Sequence, residues 1–219
     1  MMVYLGNEGS PSRHKWMVEH GIGNMLLAND FRYPKNGVSY ALDNGAFHCY
    51  LNNKPFDELK FLKALDKVIK SDIKPDFVVL PDIVGGGMDS YDLSIKWLNR
   101  LGSDIPFYFA VQDGMPFSIL YRRYKDLNFT RLPLYQRIKG IFIGGTEKWK
   151  LKTGREWVKQ THERGLKVHI GMAGTFKKMV WAKHIGADSI DSATINRNNN
   201  YERILEVIQQ NKLSEDSLK

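Results

Sequence analysis

Short apolar runs alternate along the chain with longer amphipathic stretches, the pattern of repeated β-α units. The runs predict strands at Val3–Gly6, Met25–Ala28, Tyr40–Asp43, Phe77–Pro81, Phe107–Val111, Ile141–Ile143, Val168–Gly171 and Ser189–Asp191. Between them, helices are expected over Arg13–His20, Asp57–Ser71, Ser90–Leu101, Pro116–Leu127, Arg155–Arg164, Phe176–His184 and Tyr201–Asn211. The stretch Asp57–Ser71 sets Leu59, Leu62, Leu65, Val68 and Ile69 at helical spacing, with lysines on the other face. Gly21, Gly102, Gly165 and Gly186 follow helices in the position that helix C-caps favour. Asn29–Val38, with Pro34 and Asn36-Gly37, reads as a loop in place of a helix.

Strands and helices that alternate without a break in composition imply a parallel sheet. Eight strands make an irregular (β/α)8 TIM-type barrel the first expectation, as one compact domain over residues 1–219. Because ~250 residues is usual for that fold, some helices must be short or missing. A doubly wound open sheet is the alternative, but Gly6-Asn7-Glu8-Gly9 does not make a dinucleotide-binding glycine loop after the first strand. The polar tail after Gln209 is expected to fray.

In a parallel barrel the C-terminal strand ends converge on one mouth, where active sites of that fold lie. Here those ends carry Asp43, Asp82, Gln112, Gly144-Gly145 and Asp191. Three carboxylates, an amide and bare glycine backbone suit a polar, hydrogen-bonding ring. Each residue also has a plainer reading. Asp43 could close a turn with Asn44-Gly45, Asp82 could end a strand before Gly85-Gly86-Gly87, and Asp191 could cap a helix. The glycines of 144–145 and 171–174 could instead cradle a phosphate.

Composition narrows the classes. One cysteine, Cys49, excludes an internal disulfide framework and a cysteine-cluster zinc site, and the histidines show no metal-ligand spacing. No metal or cofactor is therefore expected. His48 and Cys49 read as local packing. No apolar run approaches the ~20 residues that span a bilayer, and the N-terminus lacks a secretory pattern, so the expected location is cytoplasmic. The formal charge is +8, and all of it lies between Arg122 and Arg155, where ten basic residues face only Asp126 and Glu147. Tyr121, Tyr124, Phe129, Tyr135 and Trp149 are interleaved with them. Basic residues among aromatics suit a phosphate backbone with bases to stack on, although a solvated charged face is the plainer alternative.

Taken together, Leu42-Asp43-Asn44-Gly45-Ala46-Phe47, Leu80-Pro81-Asp82, Val111-Gln112-Asp113-Gly114, Ile143-Gly144-Gly145, Gly171-Met172-Ala173-Gly174 and Gly186-Ala187-Asp188-Ser189-Ile190-Asp191 resemble the tRNA-guanine transglycosylase superfamily in order and spacing. The resemblance implies exchange of guanine in a nucleic acid for a 7-deazaguanine. It makes Asp191 the nucleophile, Asp43 the general acid and base, and Asp82 the reader of the base edge. Gln112, Gly144, Gly145 and Met172 would complete base binding. Asp188 would be structural, bonding a neighbouring backbone. Arg122, Arg123, Lys125, Lys148, Lys150, Lys152, Arg155 and Arg197 would grip the polymer.

The family's tRNA enzymes resemble one another in a C-terminal cysteine zinc subdomain, which this chain, with only Cys49, is expected to lack. Leu-Pro-Asp also replaces their Phe-Asp-Glu at the second acid. These departures point to a compact, DNA-acting relative of a phage-encoded kind, taking a preQ0-like base as in queuosine-related chemistry. A protein partner is one candidate source of the missing docking surface. The rivals are the same exchange on tRNA, a non-catalytic nucleic-acid-binding subunit, and a barrel enzyme acting on a small phosphate ester.

Overall fold

The computed structural model describes residues 1–33, 37–101, 104–125, 131–193 and 201–209. Arg197, Pro34, Asn36, Gly102 and the tail beyond residue 209 lie outside the described residues, as do the side chains of Tyr124, Lys125 and Arg131.

Eight parallel strands close into a barrel: β1 (Met2–Gly6), β2 (Gly23–Leu27), β3 (Tyr40–Asp43), β4 (Val78–Val79), β5 (Phe107–Val111), β8 (Gly140–Ile143), β9 (Lys167–Ile170) and β10 (Ser189–Ser192). β1 pairs with both β2 and β10, which closes the ring. The eight expected strands are these eight. Around them run α1 (Pro11–Glu19), α2 (Ala46–Leu51), α3 (Glu58–Lys70), α4 (Gly87–Leu101), α5 (Glu147–His162), α6 (Phe176–His184) and α7 (Tyr201–Gln209). The fold is an irregular α/β barrel of the TIM type, in a single domain.

Two expected helices differ, and both differences have physical causes. No α-helix forms over 116–125, and residues 126 and 127 of the expected helix lie outside the described residues. A 3-10 turn at Phe117–Tyr121 leads instead into β6 (Arg123–Lys125), which pairs antiparallel with β7 (Arg131–Pro133). This hairpin replaces the helix between β5 and β8. α5 begins at Glu147, not Arg155. Gly154 sits mid-helix, where a Cβ would come within 2.9 Å of the Trp181 ring on α6. The helix is capped by the Thr146 side chain, which accepts the Trp149 N–H. α2 was not anticipated. It follows the turn after β3 directly.

The strands' two-residue alternation separates two cores. Outward-facing Leu5, Leu42, Phe109, Val111, Ile141 and Ile143 pack under the helices with Phe61, Leu98 and Trp157. Tyr4, Met25, Ala41, Phe77, Val79, Tyr108 and Ala110 fill the barrel, with Phe142 against them. The Phe77 and Tyr108 rings stack at 4.1 Å, and Phe142 stacks on His169 at 4.9 Å. Below them the Tyr4 hydroxyl donates to Asp76 at 2.8 Å. Asp188 accepts the Val168 N–H and bonds Lys167 and His162, pinning β10 to β9 and α5. These partners hold its carboxyl below the usual range against the opposing effect of burial. Its structural role is the expected one.

The filled barrel sets a steric test. A Cβ on Gly171 would lie 2.5 Å from the Phe142 ring, whereas one on Gly144 meets nothing closer than 3.5 Å. Gly171→Ala should lower stability by roughly 1–3 kcal/mol in urea unfolding, while Gly144→Ala should stay within about 0.5 kcal/mol of the parent.

Candidate active site at the barrel mouth

Continuing the inward alternation by one step builds the mouth. Asp43 lies two residues beyond Ala41, Gln112 two beyond Ala110, Gly144 two beyond Phe142, Gly171 two beyond His169, and Asp191 two beyond Ser189. Glycine at two of these positions and carboxylate or amide at the others leave an open, polar rim above an aromatic floor. Asp82 follows β4 and joins them through its partners. Asn44 Nδ2 donates to its Oδ1 at 2.8 Å and Gln112 Nε2 donates to its Oδ2.

The three acids share one electrostatic environment but have different supports. Asp43 accepts the Gly45 N–H at 2.6 Å, so the expected Asx turn and the mouth position coexist in one residue. Burial, reinforced by the charges of Asp191 and Asp82, pushes its carboxyl up to about 7 despite that bond. Burial also raises Asp82, to about 6, opposed by the Asn44 and Gln112 amides. Asp191 accepts the Met172 N–H at 2.9 Å and faces His169 Nε2 at 3.1 Å, both on Oδ1. Among the described residues no hydrogen bond reaches its Oδ2.

Gln112 is buried and committed on both sides, because its Oε1 also accepts the Gly85 N–H at 2.6 Å. It orients Asp82. The Gly144 N–H donates to Val111 O at 3.0 Å, so what Gly144 contributes to the mouth is space. Gly145 turns the chain with φ +75° beside Asp113, whose carboxylate accepts both the N–H and the hydroxyl of Thr146 and so anchors the start of α5. Met172 is 54% exposed and has φ +59°, a left-handed conformation unusual for methionine. That conformation aims its N–H at Asp191.

The basic residues divide. Arg122, Arg123, Lys148, Lys152 and Arg155 are exposed. Lys150 is only 9% exposed, and its ammonium donates to Gly171 O at 2.7 Å. Its expected place on the polymer-gripping face is corrected by the early start of α5, which turns it inward. Arg137 bonds Asn99 and Leu98 O at the base of the hairpin. Of the pair after Phe47, Cys49 is buried as expected, whereas His48 is exposed.

Sequence reasoning passed over four contributors. His169 is fully buried, with Nδ1 2.9 Å from Ser189 Oγ. Burial holds its imidazole below the usual range, opposed by Asp191. Its signal was the alternation in Val168-His169-Ile170, which turns a histidine inward one layer below the acids. Asn44 was read only as a turn residue, yet it positions Asp82. Phe47 and Tyr50, stacked at 6.4 Å, are exposed on α2 just after Asp43.

The raised acid predicts a pH-dependent gain. An ordinary aspartate titrates near 4, so Asp43 is protonated in both folded and unfolded chains at lower pH. Its influence on stability turns unfavourable as pH rises toward and through about 7. Asp43→Asn keeps an oxygen for the Gly45 N–H and removes the ionisation. Thermal melts should therefore place the variant above the parent at pH 8 and level with it at pH 4. No family model matches the chain, and no curated protein matches it in sequence.

Proposed function

We propose that the chain is a guanine transglycosylase that exchanges guanine in DNA for a 7-deazaguanine base such as preQ0. The observation that carries this reading is the meeting of Asp43, Asp82 and Asp191 at one barrel mouth, each on different hydrogen-bond partners. Base exchange needs three carboxyl functions: an anion for the sugar carbon, a proton carrier for the base, and an acceptor for the base's edge.

A flipped guanosine would present C1′ to Asp191, at an unstacking cost of a few kcal/mol. As the carboxylate–C1′ bond forms, the C1′–N9 bond breaks and its electron pair goes to guanine, which takes the proton of Asp43. A carboxyl lifted to about 7 is poised at neutral pH both to give that proton and to take one back. The covalent glycosyl–aspartate is the intermediate of retaining glycosidases, with a base instead of water as second acceptor. The incoming base then yields its N9 proton to Asp43 and displaces Asp191. Atoms and charge balance without hydrolysis or redox change, so the scheme asks for no cofactor.

Asp82, held by two amides, has lone pairs left for the ring N–H and exocyclic amine of a guanine-like base. Met172, exposed just after β9, and Phe47, exposed in the first turn of α2, offer surfaces for the base to lie against. Arg122, Arg123, Lys148, Lys152 and Arg155 supply exposed positive charge for the backbone.

The test is incubation of the protein with labelled guanine and either DNA or tRNA, with parallel trapping of a protein–polymer adduct. Label is expected in DNA. Label in tRNA alone would transfer the same chemistry to the other polymer, while binding without label or adduct would make the protein an accessory subunit. Asp191→Ala should abolish the adduct, and Asp43→Asn should slow exchange on the order of 10²–10⁴-fold.

A further inference from the structure

Lys150 is the one buried lysine among the described residues, and it lies beside the mouth, not on the basic surface. Its ammonium is tied to the carbonyl of the Gly171–Met172 peptide, and the N–H of that same peptide is tied to Asp191 Oδ1. The amide is thus gripped at both ends, by a cation on its oxygen and by the carboxylate on its hydrogen. A cation on a carbonyl draws electron density from the amide and strengthens its N–H as a donor. The next residue continues the tie, since the Ala173 N–H donates to Asp191 O at 3.0 Å.

From below, His169 meets the same carboxylate oxygen. Its Nδ1 faces Ser189 Oγ and its ring stacks on Phe142, which leaves the imidazole no freedom to turn. With the Ser189 hydroxyl donating to Nδ1, the proton of the neutral ring sits on Nε2 and points at Asp191.

We propose that Lys150 and His169 are positioning residues that hold Asp191 by Oδ1, Lys150 acting through the Gly171–Met172 peptide, and so present Oδ2 to the substrate. This rests on the reading of Asp191 as nucleophile. Bond formation is then from Oδ2 to C1′, as the C1′–N9 pair leaves with guanine. Oδ1 keeps its two donors throughout, so the carboxylate need not reorient between the two halves of the exchange. A nucleophile held in its attacking geometry gains by pre-organisation, and small displacements are costly. The charged and titratable groups that face the pair are Asp191 from β10, Asp113 from the β5 loop, Glu147 on α5, Lys178 on α6 and Tyr4 inside the barrel, while Asp43 acts on Asp191 itself.

The test uses the full chain with Lys150→Met and His169→Met, which keep volume and remove the donors, and His169→Gln, which restores an N–H. Single-turnover adduct formation is measured against pH, alongside polymer affinity. The methionine variants should slow adduct formation by about 10–100-fold, move its acid limb to higher pH, and leave affinity unchanged. His169→Gln should recover most of the rate. Unchanged rates and pH profiles would overturn the proposal. So would weakened polymer affinity with an unaltered adduct rate in Lys150→Met, which would make that lysine a backbone contact. Should Lys150→Met fail to fold, the His169 pair decides by the same criteria.

A second readout is independent of activity: 15N shifts of His169 in the free parent at pH 8 should report a neutral ring protonated on Nε2. A ring protonated on Nδ1, or charged at that pH, would overturn the proposal even if adducts form. An Nε2–H ring in a protein that forms no adduct would reject the transglycosylase reading and leave the hold on Asp191 standing.

Discussion

Carboxylates crowded at the mouth of one barrel repel, and the structure answers that repulsion with a different set of donors for each. Asp82 has two side-chain amides, Asp191 has a peptide N–H and an imidazole, and Asp43 has one backbone N–H. The least supported of them, Asp43, is the one lifted to about 7, by burial first and by its two neighbours after that. Separating like groups by environment is how one site obtains both an acid and a base. Burial raises both Asp43 and Asp82, and the two amides on Asp82 hold it the lower of the pair.

The placement of these groups follows from strand geometry. With a side-chain period of two, the residue above each interior aromatic or small residue must enter the mouth. β5, β8, β9 and β10 run in register, pairing Phe142 with His169 and His169 with Ser189. Their next inward residues therefore fall at similar height: Gln112, Gly144, Gly171 and Asp191. Short β4 ends the pattern early, and Asp82 reaches the group from the loop beyond it.

How much of this was legible follows from the same physics. The eight strands were readable because apolar runs bounded by turn residues mark buried parallel strands, and the acids at their ends inherited their positions from the barrel. The antiparallel pair of β6 and β7 was not, since Phe117–Lys125 has enough apolar spacing for a helix and a strand partner is not marked by local spacing. The first turns of α5 were not legible, since Gly154 costs helix propensity at its middle and the Trp181 ring on a neighbouring helix explains its place. Lys150 was counted with the basic run by its charge, which does not tell a buried lysine from an exposed one. His169 can be placed inward by alternation, but its role waits on the residues it faces.

The left-handed Met172 joins these threads. A non-glycine residue in that region stores on the order of 1–3 kcal/mol, and persists only where its surroundings over-determine it. Here the Gly171 carbonyl is bound by Lys150, the Met172 N–H by Asp191 and the Ala173 N–H by the Asp191 carbonyl. Gly171 must itself lack a side chain because the Phe142 ring occupies that space. The same ring stacks on His169, the other group on Asp191 Oδ1. Packing in the aromatic floor and geometry at the carboxylate are thus one constraint, and a change to either should be felt by the other.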